Sequence, residues 1–409
     1  MTVTGNGDER PLRVLAAAAG PVFYQTPLYQ RLAADPRIDL TVLFASSGGV
    51  RPYDAGLGGR PVVWDVDLLD GYNSRFVKKA DRNEAGAGFL GLRDLDIVGP
   101  ILGGRWDALW VHGYSYLTLW LAIAAATVRG IPVLVREEQT LLHERPVPRR
   151  WLRAAVLRGL FARASGLYIG SNNRRFFAHH GIPAERLHFV PYCVDNAALQ
   201  QQAAELADRR AELRAGLGIG PGAGPVVLFV GKLIPKKQPL LALEAFAGVR
   251  RELPCTLLVV GEGELEGAMR ARVARDGIPD VRFAGFLNRG QIAQAFAAAN
   301  LFVLPSGRHE TWGLVVNEAM NFALPVVVSD KVGCAADLVT DGDNGFVVAA
   351  GQAGPLISAL RKLVESADLR QAMGRRSRER IDRWHYGLAA QGIIEACQAA
   401  AATHRRRRP

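Results

Sequence analysis

The chain has 409 residues, 49% of them hydrophobic and 22% charged, with a formal net charge of +11 at pH 7 and a pI near 9.8. This length exceeds one ordinary core, and the composition is that of a globular protein, which excludes a disordered or membrane-spanning chain. Its 4 cysteines are scattered without a C-x-x-C pair, which is typical of reduced thiols and argues against a zinc site or a disulfide framework.

The N-terminal sequence MTVTGNGDER includes acids and no basic region, so we do not expect a secretory signal. The longest apolar run, YLTLWLAIAAATV from Tyr116, is shorter than the roughly 20 residues that cross a bilayer and is predicted to be a buried helix. The expected location is the cytoplasm, with peripheral contact at the inner membrane face as an option.

In the first half of the chain, short apolar runs alternate with helical stretches. RVLAAAAG and IDLTVLFAS are predicted strands on either side of the helical PLYQRLAADP, and DALWVHGY, PVLVREE and GLYIGSN continue the series. Strands that alternate with helices indicate a parallel sheet with helices on both faces. We therefore predict one Rossmann-like domain over residues 1–195.

An arginine-rich stretch interrupts this series. PVPRRWLRAAVLRGLFARA mixes arginines at helical spacing with apolar side chains, namely Trp151, Leu152, Val156, Leu157, Leu160 and Phe161. Two interpretations stay open, an amphipathic helix packed on the sheet and a surface that meets anionic lipid. Nucleic acid is not an expected partner, because zinc-finger, RNP-type and basic-zipper patterns are missing from the sequence.

A second series of strands follows VPYCVDNAALQ, at VVLFVGKL, CTLLVVGEG, VRFAGFL, LFVLPSG and PVVVSDKVG. The predicted fold class is α/β, with a second doubly wound Rossmann-like domain over residues 196–381. Such sheets bind ligands at the carboxyl ends of their strands, so two facing sheets form one central cleft.

The first strand of the second series ends at Gly231 and delivers Lys232, Lys236 and Lys237 to this cleft. Lysines in such a position suit phosphate oxygens. A solvated basic loop is the alternative interpretation.

The stretch HETWGLVVNEAM places Thr311, Trp312, Gly313 and Leu314 at the start of a predicted helix, where unpaired backbone N–H groups favour an anion. Glu310 precedes these amides, and Glu318 is predicted to lie two turns into the helix. Carboxylates beside an anion site are better suited to hydroxyl groups. A diphosphate flanked by two polyol-binding carboxylates describes a nucleotide sugar, although both acids could merely complement the helix dipole.

The stretches GKLIPKK, VGEGELEG, VRFAGFL, LFVLPSGRHETWGLVVNEAMNFALPVVVSDKVG and DGDNGFVV resemble the C-terminal domain of retaining glycosyltransferases of family 4. The resemblance extends from about Gly224 to Val348. It implies the GT-B fold, with a C-terminal helix over about residues 382–405 that returns to the N-terminal domain. It also implies a nucleotide diphosphate sugar donor, a hydroxyl-bearing acceptor, and no metal or other cofactor.

Several site residues follow from this resemblance. Glu310 is expected on the donor sugar and Glu318 on the ribose, with Lys232 and Lys237 on the diphosphate. The nucleobase is expected near Phe286. The residues expected to bind the donor are Gly231, Lys232, Lys237, Phe286, Glu310, Thr311, Trp312, Gly313, Leu314 and Glu318. Those expected to be catalytic are Glu310, Lys232, Lys237, Glu138 and His112.

On the acceptor side the resemblance implies roles for Gly20, His112 and Glu138. WDALWVHGY resembles a family strand that ends in histidine, and Glu138 stands where many members have a catalytic-site histidine. With Glu137 it predicts an acidic pocket for an amine-bearing acceptor. Two alternatives stay open: Glu138 pairs with Arg136 or a neighbouring arginine, and, separately, His112 is a plain core or capping residue.

The expected activity is therefore metal-independent, retaining hexosyl transfer to a small-molecule or lipid-linked acceptor. A GT-B nucleotide-sugar epimerase and a non-catalytic sugar-nucleotide-binding subunit are the alternatives. A nicotinamide site in VVGEGELEG is not expected, because Glu262 and Glu264 would face the pyrophosphate. The D-x-D pattern at Asp65 recurs at Asp94 and Asp341 and carries no metal prediction.

Overall fold

A computed structural model of the chain describes residues 10–51, 53–54, 61–62, 66–82, 88–142 and 147–407. Within these ranges the side chains of residues 53–54, 61–62, 147–152 and 405–407 are not described.

A seven-stranded parallel sheet forms the first half of the molecule, in the order β5-β2-β1-β6-β7-β8-β9. Its central strands are apolar throughout because helices cover both faces. The strands are β1 (Leu12–Ala18), β2 (Ile38–Phe44), β5 (Asn73–Phe76), β6 (Ala108–His112), β7 (Val133–Arg136), β8 (Ser165–Tyr168) and β9 (Leu187–Phe189), with a separate antiparallel pair β3 (Tyr53–Asp54) and β4 (Pro61–Val62). The helices are α1 (Thr26–Ala33), α2 (Val98–Gly103), α3 (Leu117–Arg129), α4 (Val147–Phe161) and α5 (Ser171–His179).

A six-stranded parallel sheet forms the second half, in the order β12-β11-β10-β13-β14-β15. The strands are β10 (Val226–Val230), β11 (Thr256–Val260), β12 (Val281–Gly285), β13 (Leu301–Leu304), β14 (Val326–Ser329) and β15 (Gly345–Val348). The helices are α6 (Asn196–Leu206), α7 (Arg210–Gly216), α8 (Pro239–Arg250), α9 (Glu266–Asp276), α10 (Arg289–Ala298), α11 (Val315–Asn321), α12 (Ala335–Leu338), α13 (Ala353–Glu365) and α14 (Ala367–Ile381). The predicted α/β class with two doubly wound sheets is confirmed.

The last helix, α15 (Tyr386–Arg407), packs on the first sheet rather than on the second. Its buried Ile393 and Ile394 join the core cluster that contains Val14 and Trp110. At Gly392 a side chain would meet the carbonyl oxygen of Phe189 at 2.0 Å, so helix and sheet approach as closely as glycine permits. The chain thus enters the second sheet and then returns to complete the first.

The two halves also meet at a polar contact beside the cleft. The carboxylate of Asp337 accepts hydrogen bonds from the backbone N–H of Ser171, at 2.9 and 3.1 Å, and from its hydroxyl at 2.5 Å. The side-chain amide of Asn172 donates to the carbonyl of Gly333 at 3.1 Å. An acid of the second half therefore caps the first turn of α5 in the first half.

Candidate functional site

Buried charge concentrates where β10 and β13 end. Glu310 is 5% exposed, and its carboxylate lies 2.5 Å from the ammonium nitrogen of Lys237 and 3.9 Å from that of Lys236. The hydroxyl of Ser306 donates to the same carboxylate at 2.9 Å. Burial lowers the pKa of Lys236, and Glu310 partly offsets that effect. The structure therefore brings Lys237 and Glu310 into direct contact, whereas the sequence interpretation gave them separate parts of the donor.

Lys232 and Gly231 occupy the same strand end. Gly231 has a φ of +155°, and a side chain there would lie 3.6 Å from the aliphatic chain of Lys237. Lys232 is half-buried. The predicted lysine cluster thus lies at the carboxyl edge of the second sheet.

Glu318 lies closer to the start of the helix after Glu310 than the sequence interpretation placed it. The helix starts at Val315 with Leu314 as its N-cap, so Glu318 lies in the first turn and not two turns into the helix. Gly313 has a φ of +91°, and a side chain there would meet Val332 at 2.9 Å. Glycine is therefore required by both backbone conformation and packing. Burial raises the pKa of Glu318, and the charge of Arg289 partly offsets this rise.

The side chain of Trp312 lies in the contact between the two halves. It is 2% exposed, and its indole N–H donates to Asn317 at 2.9 Å. Its ring lies 6.0 Å from that of Tyr192 and 5.3 Å from that of Trp384. Any part that Trp312 takes in donor binding therefore falls to its backbone.

Two loops approach the cleft from opposite halves near the predicted nucleobase position. The backbone N–H of Phe286 donates to Glu262 at 3.4 Å. The guanidinium of Arg289 lies 4.3 Å from the ring centre of Phe23, which follows β1. This cation–π contact joins the two halves. The charge of Arg289 also acts on Glu318, because it lowers the pKa of that acid.

A cavity of about 470 Å³ opens at the carboxyl edge of the first sheet. Its wall includes Gly20, His112 and Glu138, which the sequence placed on the acceptor side. His309 and Thr311 of the second half also line it, so the cavity lies next to the charged cluster. At Gly20 a side chain would lie 3.2 Å from the carbonyl oxygen of Ser46, so this loop passes close to the end of β2.

Glu138 contacts hydroxyl groups from two parts of the chain. Its carboxylate accepts hydrogen bonds from Tyr192 at 2.6 Å and from Thr311 at 3.2 Å. Arg136 instead donates to the carbonyl of Pro191 at 3.3 Å, and its guanidinium lies 5.5 Å from the ring centre of Tyr192. Glu138 thus links the acceptor-side cavity to the loop that follows Glu310.

Glu137 is the second acid of the cavity wall. Burial and the charge of Glu138 raise its pKa to about 7. The backbone N–H of Glu138 donates to it at 3.0 Å. This carboxyl therefore gains or loses its proton near neutral pH, and the charge of the cavity wall depends on pH.

His112 ends β6 beside Arg136 of β7. Its Nδ1 lies 3.2 Å from the side-chain nitrogen of Gln25, and its ring lies 4.4 Å from that of Trp110. Burial lowers its pKa well below the ordinary range, and Arg136 lowers it further. His112 is consequently a neutral imidazole in the cavity wall.

Sequence reasoning missed several side chains of this region. Ser306, Tyr192, Gln25 and Arg289 carried no motif. Ser306 could have been noticed, since a hydroxyl at a strand end four residues before a key acid is well placed to orient it. Tyr192 was not predictable, because it reaches Glu138 only where the chain crosses between the two halves.

Other predicted features lie partly outside the described residues. Of the arginine-rich helix α4, Leu157 and Phe161 are buried and Val156 is 45% exposed, whereas the side chains of Trp151 and Leu152 are not described. Asp65 also lies outside the described residues. Among the helices that the structure describes, none is long and apolar enough to cross a membrane.

Comparisons with known proteins agree with this arrangement. Residues 212–380 match the family described as glycosyl transferases group 1. An alpha-D-kanosaminyltransferase of Streptomyces kanamyceticus is 30% identical over 213 residues, which cover 52% of this chain and 53% of that protein. A D-inositol 3-phosphate glycosyltransferase of Acidothermus cellulolyticus is 27% identical over 314 residues, covering 72% and 68%. The chain spans about half the length of most of the curated relatives it matches.

Solved structures share the whole architecture at low identity. HepE of Anabaena, in complex with UDP and glucose, superimposes with a TM-score of 0.70 at 18% identity, covering 95% of this chain and all of that one. A glycosyltransferase of Rickettsia africae gives a TM-score of 0.70 at 12% identity, covering 96% and 99%. Residues 212–380 are therefore a group 1 glycosyl transferase domain, carried by a chain with the two-sheet GT-B fold.

Proposed function

We propose that this chain is a glycosyltransferase that moves a sugar from a nucleotide diphosphate sugar to a hydroxyl group of an acceptor. The observation that carries the proposal is the position of Glu310. It is a buried acid held by Lys237 and Ser306 at the edge of the cleft. Two comparisons support a nucleotide diphosphate sugar as the donor. Residues 212–380 match the group 1 glycosyl transferases, and the similar HepE structure is a complex with UDP.

Lys237 has two tasks in this proposal. Its contact with Glu310 fixes the carboxylate toward the donor sugar, and its remaining donors serve the diphosphate. Lys232 and Lys236 add positive charge beside it, which favours the leaving nucleoside diphosphate. A preorganised donor of this kind is typically worth about 3–4 kcal/mol in the transition state. The backbone N–H groups of Thr311–Leu314 contribute less, because α11 has only 7 residues.

We further propose that transfer retains the anomeric configuration. In the same-face mechanism inferred for similar enzymes, the leaving phosphate takes the proton of the acceptor hydroxyl, and no protein base is required. Glu138 fits a supporting role, because hydroxyl groups of Tyr192 and Thr311 already occupy its two oxygens. NMR of the isolated product decides: a β-linked product from an α-linked donor contradicts retention.

The cavity favours transfer over the rival activities. An epimerase needs no second substrate, yet a cavity of about 470 Å³ adjoins the donor cluster on the other half. We propose that the acceptor binds there and that an amine on it contacts Glu137. A cationic acceptor is expected to lower the apparent pKa of this acid and to lose affinity in Glu137→Gln. If neutral and amine-bearing analogues are used equally well, the amine is not recognised.

We also propose peripheral contact with anionic lipid, and with it a lipid-linked acceptor. It rests on the arginines of α4 together with exposed Val156. Flotation with vesicles of phosphatidylglycerol and phosphatidylcholine at low salt tests it. If the protein stays in the bottom fraction of the gradient while the vesicles float, it does not bind anionic lipid.

The main experiment uses thermal shifts with a panel of nucleoside diphosphates and nucleotide sugars, followed by turnover assays. We expect one base to be preferred and turnover to require an added acceptor. Epimerised donor formed without acceptor would support the epimerase instead. Tight nucleotide-sugar binding with no chemistry toward any acceptor would support a binding subunit.

A further inference from the structure

Two residues of the cavity wall each contain a buried side-chain nitrogen atom that has no hydrogen-bond partner within the described part of the chain. These atoms are Nη1 of Arg136 and Nε2 of His112. Buried polar groups in folded proteins are nearly always hydrogen-bonded, so two such atoms in residues of one cavity wall require an explanation.

Strand register places these two residues side by side. His112 of β6 is the direct partner of Arg136 of β7 in the parallel pair. Paired residues on adjacent strands project to the same face of a sheet. The side chains of His112 and Arg136 therefore leave the sheet on the same face.

Both nitrogens are hydrogen-bond donors. The hydroxyl of Tyr29 donates to the side-chain oxygen of Gln25 at 3.1 Å, which leaves the amide nitrogen of Gln25 facing Nδ1 of His112 at 3.2 Å. An amide nitrogen can only donate, so Nδ1 accepts. In the neutral imidazole the proton then resides on Nε2. Guanidinium nitrogens always donate, so each of the two nitrogens lacks an acceptor.

The charge of Arg136 narrows the chemistry of that partner. The side chain is 5% exposed, and its hydrogen bond within the described residues goes to a neutral carbonyl, that of Pro191. A buried positive charge is costly unless an anion compensates it. The planar guanidinium of arginine also forms paired hydrogen bonds with the oxygens of carboxylate and phosphate better than any other side chain.

We infer that Arg136 and His112 bind an anionic oxygen group of the acceptor, a phosphate or a carboxylate, and so determine which acceptors are used. This inference rests on the proposed function and identifies the class of its second substrate. It is separate from the amine proposal, which concerns Glu137 and not these two residues.

Binding to the full chain tests the inference. The nucleotide site is first saturated with the nucleoside diphosphate that the panel selects, so that Lys232, Lys236 and Lys237 no longer compete for anions. Inorganic phosphate, glucose 6-phosphate, glucuronate and glucose are then titrated by calorimetry at constant ionic strength. We expect one or more anionic probes to bind at least about ten-fold more tightly than glucose, since hydrogen bonds to charged groups are the stronger ones. The comparison of glucose 6-phosphate with glucuronate shows which oxyanion is preferred.

Variants assign the effect to Arg136. Arg136→Gln is expected to abolish the preference for the anionic probes, and Arg136→Lys to retain part of it, with unchanged nucleoside diphosphate affinity in both. If either variant fails to fold, the wild-type titrations still decide. The inference is overturned if wild-type protein binds glucose as tightly as the anionic probes, or binds none of the four probes. Arg136 and His112 would then only pack against the neighbouring rings of Tyr192 and Trp110. Retained nucleotide binding in that case leaves the proposed function standing.

Discussion

At the scale of single residues, Glu310 and Glu318 occupy different environments although only seven residues separate them. Glu310 contacts Lys237 and Ser306, whereas Glu318 is half-buried in the first turn of α11 within the field of Arg289. A contact with a lysine fixes the orientation of the first carboxylate. For the second we propose that it accepts hydrogen bonds from the ribose of the nucleotide.

Replacement of each acid by glutamine therefore has a different expected result. Glu310→Gln should lower kcat by roughly 10- to 100-fold, because a hydrogen bond to a charged group is worth about 1.5–3 kcal/mol. Glu318→Gln should mainly weaken nucleoside diphosphate binding, by about ten-fold on the same scale. Steady-state kinetics and product-inhibition constants measure both, with exposed Glu264→Gln as the control. Equal loss of nucleotide affinity in both variants with unchanged kcat would contradict this division of roles.

Glu137 predicts a pH dependence of stability. Its pKa is raised from 4.5 to about 7 in the folded protein, so the folded state binds a proton more readily than the unfolded state. The free energy of unfolding therefore falls as pH rises from about 4.5 to 7 and stays at its lower value above that range. The loss is at most about 3 kcal/mol, and solvent screening makes it smaller. Glutamine in place of Glu137 removes this penalty. We expect the advantage of Glu137→Gln in Tm over wild type to be larger at pH 8 than at pH 5.

The matched control for this measurement is Glu185→Gln, which changes an exposed acid. A constant difference between Glu137→Gln and wild type across this pH range would show that the acid titrates normally.

At the scale of elements, the contact between α12 and α5 joins the two halves. Asp337 is the acid that caps α5, and it comes from the other half of the molecule. Loss of a capping acid costs about 0.5–2 kcal/mol. We expect Asp337→Ala to lower the free energy of unfolding by that amount in urea titrations, while Asp276→Ala, at an exposed position on α9, changes it little.

The neighbouring glycine extends this prediction. A side chain at Gly170 would lie 2.5 Å from the ring of Trp312 and 2.6 Å from the carboxylate of Asp337. Gly170→Ala must therefore separate α5 from α12 or displace Trp312. If Gly170→Ala unfolds at the same urea concentration as wild type, the two halves are not held together at this point.

At the scale of the whole molecule, α15 makes the last part of the sequence essential to the first sheet. Ile393 is 1% exposed and lies in the core beneath β1 and β6. Truncation of a buried isoleucine to alanine costs about 2–5 kcal/mol, whereas exposed Gln398→Ala should change stability by less than about 0.5 kcal/mol. Amide hydrogen exchange should show Ile393→Ala losing protection in β1 and β6 before β10. Earlier loss in β10 would contradict the assignment of α15 to the first sheet.

Local pattern sufficed for much of the fold. Apolar runs such as VVLFV and LFVL are buried strands because both sheet faces are covered, and hydrophobicity alone signals them. The position of Lys232, Lys237 and Glu310 at strand ends followed from the same reasoning, since parallel strands deliver their carboxyl ends to one edge. Their roles remain proposals.

The partners of the site residues were decided by the tertiary structure. The sequence could place Glu138 at a strand end, but Tyr192 and Thr311 reach it from the crossing segment and from the other half. Likewise, Glu318 lies in the first turn of α11 because the helix begins at Val315, just after Gly313, which has a left-handed conformation next to Val332. Periodicity reports which face of an element is buried, whereas contacts between distant segments depend on how the two sheets are packed, and that information is not contained in any local stretch of sequence.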